Sequence, residues 1–213
     1  TVSQLGFMFL GLGVTGFSAG FFHVFTHAWF KALLFLGAGS VIVALHHEQD
    51  LFKMGGLREK LPITFYTMLI GALCLMGFPG TSGFASKDEI LYLTYLHSPT
   101  LWGFGVLAAI CTAFYTARLM VLVFAGKPRD LKIFDHAHES PKWITAPLII
   151  LSLGALLAVT LGWPESFGGH NTIASWLHSA INYGQSAEPE AHTLQPTLAW
   201  TLALISTVLS LVS

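Results

Sequence analysis

The sequence predicts an all-α protein, a polytopic bundle of transmembrane helices in which one helix is broken. Three observations predict this class: 54% of the 213 residues are hydrophobic, only 10% are charged, and the mean hydropathy is +0.66. Soluble domains carry about 25% charged residues, so this composition is typical of a membrane protein. It also excludes a disordered chain, and the balance of 10 basic against 11 acidic residues argues against a nucleic-acid partner.

Six apolar runs are candidate membrane helices, for which about 20 residues are needed. They lie at residues 1–14, 17–45, 62–96, 101–125, 143–163 and 194–213. No soluble domain separates them, so we interpret residues 1–213 as a single membrane domain. The first residue is Thr1 rather than Met, and the last run reaches Ser213 without a helix stop. We therefore expect the chain to be part of a longer membrane protein.

The loops between these runs predict the orientation. Residues 46–61 contain three Lys and Arg residues and residues 126–142 contain four, whereas residues 97–100 and 164–195 contain none. Basic loops of membrane proteins face the cytoplasm. We therefore expect 46–61 and 126–142 on the cytoplasmic side and 164–195 outside.

The run at 62–96 is too long for one straight crossing. As a helix it would measure roughly 52 Å, against a hydrocarbon core of ~30 Å. Residues 77–83, Gly-Phe-Pro-Gly-Thr-Ser-Gly, would interrupt it. Two separate crossings would place the two basic loops on opposite sides, so we predict one crossing made of two half-helices. Such a break is tolerated where protein or a wet cavity surrounds it, and in transporters it often marks the working site.

Three ionisable residues form a stripe on the second run. His23, His27 and Lys31 follow one another at i, i+4 and i+8, so they share one helix face and extend about 12 Å along the axis. Histidine titrates near neutral pH, and ionisable groups within a membrane span are costly to bury. We interpret the stripe as a proton pathway. The alternative is that the histidines hydrogen-bond neighbouring helices and Lys31 pairs with an acid elsewhere.

A second candidate pathway residue, Lys87, follows the predicted helix break. Ser86 and Glu89 match a capping box, which would place Asp88 and Glu89 at the positive end of the half-helix. The pattern explains the acids but not the lysine, whose cation the same dipole disfavours. We therefore interpret Lys87 as functional and the two acids as mainly structural, with one of them a candidate relay toward the nearer surface.

The remaining intramembrane cation, Arg118, lies about two turns from the cytoplasmic end of its run. Its side chain could snorkel to the headgroups, so we expect an anchor or an ion-pair partner. The segment Asp135–Glu139 resembles a metal cluster in composition, but we expect a solvated loop. The chain has no phosphate loop, CxxC pair or nucleophile elbow, so we predict no catalytic residue, cofactor site or metal site.

Four segments carry a resemblance to a known family. They are Ser3–Gly6 (SQLG), His23–Phe35 (HVFTHAWFKALLF), Lys53–Arg58 (KMGGLR) and Gly83–Leu91 (GFASKDEIL). In order and spacing they resemble the antiporter-like membrane subunits of respiratory complex I, NADH:quinone oxidoreductase, and most of all the distal one. The resemblance covers residues 1–126.

The resemblance implies a proton-translocating subunit without an electron carrier of its own. His23, His27 and Lys31 would belong to the central hydrophilic axis, and Lys87 would be the lysine of the second broken helix. The chain would be the C-terminal fragment of an antiporter-like subunit, in a bacterial inner membrane. Its partners would be other membrane-arm subunits, especially the adjacent antiporter-like one. NADH, FMN, iron–sulfur clusters and quinone would bind in partner subunits.

Two other functions remain open at this point. A subunit of a multisubunit cation/proton antiporter would share the HAxFKA and GFxSK patterns, although Met54–Leu57 and the two acids after Lys87 favour complex I. A purely structural membrane element would tolerate neutral residues at Lys31 and Lys87. The cost of burying two lysines argues against it.

Overall fold

The computed structural model describes residues 1–167, 171–181 and 195–212, and these residues form α-helices and short 3₁₀ turns without any strand. The predicted all-α class is confirmed, and so is the broken helix. The helices are α1 (Val2–Gly13), α2 (Phe17–Ala44), α3 (Pro62–Met76), α4 (Ser82–His97), α5 (Pro99–Phe124), α6 (Leu131–His136), α7 (Lys142–Leu157), α8 (Thr172–Ile181) and α9 (Pro196–Val212).

Three helical stretches are long and apolar enough to cross a membrane. They are Phe17–Ala44, Pro99–Phe124 and Lys142–Leu161, the last of which is α7 extended by a 3₁₀ turn at Ala158–Leu161. Shorter apolar helices pack among them. Many large apolar side chains lie exposed on the outer surface of these helices, including Phe35, Phe104 and Ile150. Lipid can cover that surface, since a membrane protein keeps an apolar exterior.

Helix α2 occupies the centre of the bundle and packs against α1, α3, α4 and α7. Helix α5 packs on the other side of the broken helix, against α3, α4 and α9. Because α2 contacts both halves of the broken helix, polar side chains on its buried face meet those that follow the break.

The break between α3 and α4 is built from two left-handed glycines and a threonine cap. Gly77 ends α3 at φ +79° and Gly80 follows at φ +86°, a region that favours glycine because it has no Cβ. The Thr81 hydroxyl then accepts a hydrogen bond from the Phe84 amide at 3.3 Å and donates one to the Phe78 carbonyl at 2.7 Å. Thr81 is therefore the N-cap of α4.

This cap corrects the predicted capping box at Ser86 and Glu89. Helix α4 begins at Ser82, so Ser86 and Glu89 lie in its second and third turns, beyond the amides that need a cap. The Ser86 hydroxyl donates to the Ser82 carbonyl one turn earlier, at 3.0 Å. The capping-box pattern is present in the sequence, but the residue that caps α4 is Thr81, four residues after the glycine that ends α3.

The two half-helices touch at Gly83. A Cβ added there would overlap the backbone carbonyl oxygen of Cys74, in the last turn of α3. The first turn of α4 can therefore approach α3 only with glycine at this position.

The loop between α5 and α7 also departs from expectation. Its residues Leu131–His136 form the short helix α6. The Glu139 carboxylate accepts the Ile63 amide at 2.7 Å and the Thr64 hydroxyl at 2.6 Å. Glu139 is thus not a solvated loop residue: it caps the N-terminus of α3, whose own N-cap residue Leu61 has no side-chain oxygen to do so.

Candidate functional site

His23 lies at the centre of the site, where α1, α2 and α4 meet. It is completely buried, and both ring nitrogens are hydrogen-bonded. Nδ1 lies 2.9 Å from the Ser86 hydroxyl on α4, and Nε2 lies 3.1 Å from the Gln4 side-chain oxygen on α1. A buried imidazole bonded at both nitrogens is fixed in orientation, and its neighbours decide which nitrogen carries the proton.

Thr26 completes a small hydroxyl cluster with Ser86. Their hydroxyl oxygens lie 3.0 Å apart, and the Thr26 hydroxyl also donates to the His23 carbonyl at 3.2 Å. Sequence reasoning did not assign Thr26 or Gln4 to the site. The available signals were weak: Gln4 is the single amide side chain of an apolar helix, and Thr26 lies three residues after His23 on the same face.

Lys87 lies buried beside this cluster, with 2% of its surface exposed. Its ammonium Nζ donates to the Leu75 carbonyl at 3.0 Å, near the C-terminus of α3. Helix C-termini favour cations. The structure therefore corrects one premise drawn from the sequence: the side chain does not remain at the N-terminal end of α4 but reaches back to the opposite pole of the preceding half-helix.

The aromatic ring of Phe7 contacts both candidate pathway groups. The Lys87 ammonium lies 4.9 Å from the ring centroid, and the His23 ring packs against it at 6.3 Å in an edge-on arrangement. Lys87 is also near enough to His23 for a direct electrostatic interaction between the two side chains. The structure thus brings His23 and Lys87 together around one apolar side chain.

Asp88 faces away from Lys87 toward α9, although the two are neighbours in sequence. Its carboxylate accepts a hydrogen bond from the Ser206 hydroxyl at 2.9 Å. Among the described residues, Lys87 and Asp88 form no salt bridge with each other. Both line a small cavity that has room for about one water molecule. Its other lining residues are Met76, Gly77, Ala109, Ser206, Thr207 and Ser210.

Glu89 points toward the segment before α8. Its Oε1 accepts a hydrogen bond from the Asn171 amide at 3.4 Å. Its Oε2 is buried and has no hydrogen-bond partner among the described residues. The side chain therefore does not bond the N-terminus of α4.

His27 and Lys31 continue from His23 along α2 in a less buried environment. The rings of His27 and His23 lie 6.3 Å apart, and Nε2 of His27 is buried without a hydrogen-bond partner in the described part of the chain. The Lys31 ammonium lies 5.4 Å from the centroid of the Phe35 ring. The predicted stripe exists as a row of side chains, but direct hydrogen bonds do not join its members.

Arg118 lies apart from this cluster. It is exposed on α5, and its guanidinium sits 5.7 Å from the Phe52 ring centroid, in the loop after α2. It forms no salt bridge within the described residues. The same residues contain no group of three or more His, Cys, Asp or Glu side chains that could hold a metal ion.

These features define a class of protein: an antiporter-like membrane subunit with a lysine-bearing broken helix packed on a histidine-bearing helix. Residues 1–116 match the family described as NADH:quinone oxidoreductase/Mrp antiporter, TM. The match covers more than half of the chain, which therefore belongs to this family. The resemblance inferred from the four sequence segments is confirmed.

Curated relatives are named NADH-quinone oxidoreductase subunit L or NADH-ubiquinone oxidoreductase chain 5. NADH-quinone oxidoreductase subunit L of Rickettsia bellii is 51% identical over 164 residues, 76% of this chain and 25% of the relative. Subunit L of Rhodobacter capsulatus is 45% identical over 87% of this chain and 28% of its own length. NADH-ubiquinone oxidoreductase chain 5 of Acanthamoeba castellanii is 44% identical over 85% of this chain and 27% of its own length. The chain thus spans about a quarter of these relatives.

A solved structure shares the fold. The Mrp complex from Dietzia sp. DQ12-45-1b contains a chain that matches with a TM-score of 0.70. The match covers 98% of this chain and 23% of the other, at 22% sequence identity. At that identity the likeness concerns the arrangement of helices alone.

Proposed function

We propose that this chain belongs to a proton-translocating membrane-arm subunit of NADH:quinone oxidoreductase, in which a buried Lys/His axis moves protons while electron transfer takes place in other subunits. The observation that carries the proposal is the pairing of His23 with Lys87 in the interior of the bundle. Burying ionisable groups at membrane depth is expensive, so they are retained where they serve an ion or proton path. Family membership supports the same conclusion.

Each pathway residue has a role that its surroundings support. Lys87 holds or releases a proton beside the helix break, and His23 exchanges protons with the hydroxyls around it. His27 and Lys31 continue the axis along α2 toward the cytoplasmic side. The 6.3 Å spacing of the His23 and His27 rings leaves room for a bridging water, which is the usual way to join polar groups too far apart for a direct bond. Asp88, bonded to Ser206, is a branch of the same path.

The surroundings of the chain follow from the same proposal. Its partners are other membrane-arm subunits, above all the adjacent antiporter-like one, together with the lipid bilayer. NADH, FMN, iron–sulfur clusters and quinone are bound by partner subunits. The membrane is a bacterial inner membrane, and the basic loops 46–61 and 126–142 face the cytoplasm.

A cation/proton antiporter subunit is the second candidate, and the likeness of fold to the Mrp complex favours it. The two candidate complexes differ in the other subunits that they contain. Purification of the native complex with flavin and iron–sulfur subunits supports the first, whereas purification with membrane subunits alone supports the second.

The proposed path is tested in the full-length subunit within the assembled complex. Lys31→Met and Lys87→Met each remove a charge while keeping most of the side-chain volume. We expect proton uptake into vesicles to fall in both variants, with subunit composition unchanged. Lys132→Met is the control, because Lys132 lies exposed on α6. Normal proton uptake by an assembled Lys87→Met complex would contradict the proposal.

A further inference from the structure

The hydrogen bonds around His23 limit how its ring can be protonated. A neutral imidazole has one N–H and one lone pair. Its Nε2 faces the amide of Gln4 and its Nδ1 faces the hydroxyl of Ser86. Each of these groups can donate or accept, and both come from helices other than the one that carries His23. The Gln4 amide and the Ser86 hydroxyl therefore decide the tautomer together.

The orientation of the Gln4 amide decides whether Nε2 of His23 donates or accepts a hydrogen bond. Its oxygen faces Nε2 at 3.1 Å, and an amide oxygen only accepts. Nε2 must then carry the hydrogen, so the lone pair of the neutral ring lies on Nδ1, toward Ser86. The rotated amide would present its NH₂ group instead and would move the ring hydrogen to Nδ1.

Rotation of this amide breaks no other hydrogen bond in the described structure. The amide nitrogen of Gln4 is buried and has no partner there, so either orientation leaves one end of the amide bonded to His23 and the other unbonded. A glutamine held at both ends would be locked. The hydrogen bonds therefore allow both orientations of the Gln4 amide, which is completely buried.

The hydroxyls opposite Gln4 form the port through which a proton reaches Nδ1. The Ser86 hydroxyl lies 2.9 Å from Nδ1 and 3.0 Å from the Thr26 hydroxyl. Ser86 can turn its hydrogen from the Ser82 carbonyl to Nδ1 and give it up while it receives the hydrogen of Thr26. A translocated proton that reaches the Thr26 oxygen replaces that hydrogen, so the ring gains one proton and both hydroxyls stay intact. The ring then carries hydrogens on both nitrogens, next to the ammonium of Lys87 and the ring of His27, the charged or titratable groups that face it.

We propose that Gln4 is a positioning residue whose amide orientation sets which nitrogen of His23 carries the hydrogen, and that Nδ1 exchanges protons with the Ser86–Thr26 hydroxyl pair when the hydrogen lies on Nε2. With the amide oxygen facing the ring, Nδ1 can accept a proton. With the amide rotated, Nδ1 already carries the hydrogen and the port is closed. The amide of Gln4 thus switches His23 between a receptive and a closed state. This inference rests on the proposed proton path.

The test compares proton pumping in two substitutions of Gln4. A packing role and a positioning role predict opposite orders of activity for them. Gln4→Met keeps the length and an apolar character but removes the acceptor oxygen, whereas Gln4→Glu keeps the acceptor and introduces an acid into the interior. A packing role predicts that Met is tolerated better. The positioning role predicts that Glu retains most of the proton pumping and that Met loses most of it. Gln4→Leu provides the apolar variant if the Met complex does not assemble.

Ser86 has a matched control on its own helix. Ser86 and Thr94 are both completely buried, and each hydroxyl donates to the carbonyl four residues earlier, Ser82 or Ile90. Only Ser86 also contacts His23. We expect Ser86→Ala to lose most of the proton pumping and Thr94→Val to retain it, in complexes of equal subunit content.

The outcomes separate this inference from the function on which it rests. Loss of pumping in Lys87→Met together with normal pumping in both Gln4→Met and Ser86→Ala would overturn the switch and leave the proton path in place. Normal pumping in Lys87→Met and Lys31→Met would overturn the path itself. Better pumping in Gln4→Met than in Gln4→Glu would assign Gln4 to packing and also overturn the switch.

Discussion

The ammonium of Lys87 donates a hydrogen bond to the backbone carbonyl of Leu75 at 3.0 Å. The two residues lie on opposite sides of the helix break, so this bond ties the second turn of α4 to the last turn of α3. A carbonyl at a helix C-terminus lacks a partner within its own helix and carries part of the negative end of the dipole. Lys87 therefore has two roles, as a candidate proton carrier and as a link between the half-helices.

The two roles of Lys87 separate in Lys87→Arg. Arginine keeps a donor for the Leu75 carbonyl, so we expect the complex to assemble. It does not release a proton near neutral pH, so proton pumping should fail almost as completely as in Lys87→Met. The measurement is the quinone-reductase rate beside proton uptake in vesicles, with Lys132→Arg as the surface control. Full pumping in Lys87→Arg would show that the charge alone is required.

The cap of α4 predicts the effect of changing Thr81. Thr81→Ala removes the oxygen that accepts the Phe84 amide and should destabilise the helix by about 1 kcal/mol. Thr81→Ser keeps that oxygen and should be close to the wild type. The thermal unfolding midpoint of the purified complex reports the difference. Thr100→Ala, at an exposed position early in α5, serves as the control, and an equal loss there would refute the capping role.

The contact between the half-helices predicts that Gly83 tolerates no side chain. In Gly83→Ala the new methyl group would overlap the Cys74 carbonyl, and such overpacking costs roughly 1–3 kcal/mol or more. We expect a lower yield of assembled complex, measured by native gel electrophoresis. Gly103→Ala is the matched control, because Gly103 is also helical and nothing lies within 4 Å of its added Cβ. Equal yields of the two variants would mean that the half-helices can separate.

The cap of α3 makes Glu139 a stabilising residue. Glu139→Ala leaves the Ile63 amide without its carboxylate, at a helix end where negative charge is favourable, and should cost about 1 kcal/mol of stability. The expected result is a lower unfolding midpoint for the complex. Asp135→Ala in the same loop is the control, since Asp135 is exposed and lies within α6. Equal midpoints for wild type and Glu139→Ala would rule out the cap.

The basic loops predict the orientation of the chain. With Cys74 and Cys111 replaced by serine, single cysteines are introduced at Lys53 and Lys132 in the loops and at Thr172, an exposed residue at the start of α8. A membrane-impermeant thiol reagent applied to intact cells should label Thr172→Cys alone, because we predict that the other two positions face the cytoplasm. Labelling of Lys53→Cys in intact cells would reverse the orientation.

Much of the site could be predicted from single residues, because a charge inside an apolar run is conspicuous. His23 and Lys87 were found that way, and the structure brings them together around Phe7. Gln4 and Thr26 could not be found by the same reasoning. Neutral polar residues occur in apolar helices for many reasons, and only the packing of α1 and α4 against α2 shows that these two face His23.

The sequence alone determined the class of the protein, since composition and the length of apolar runs set whether a chain spans a membrane. It also determined that one helix is broken, because glycine and proline act on their own backbone. The partners of the polar groups were decided by the tertiary structure. Thr81 caps α4, Glu139 caps α3 from 75 residues away, and Lys87 bonds Leu75, because a buried donor or acceptor bonds whatever the packing of helices brings within about 3 Å.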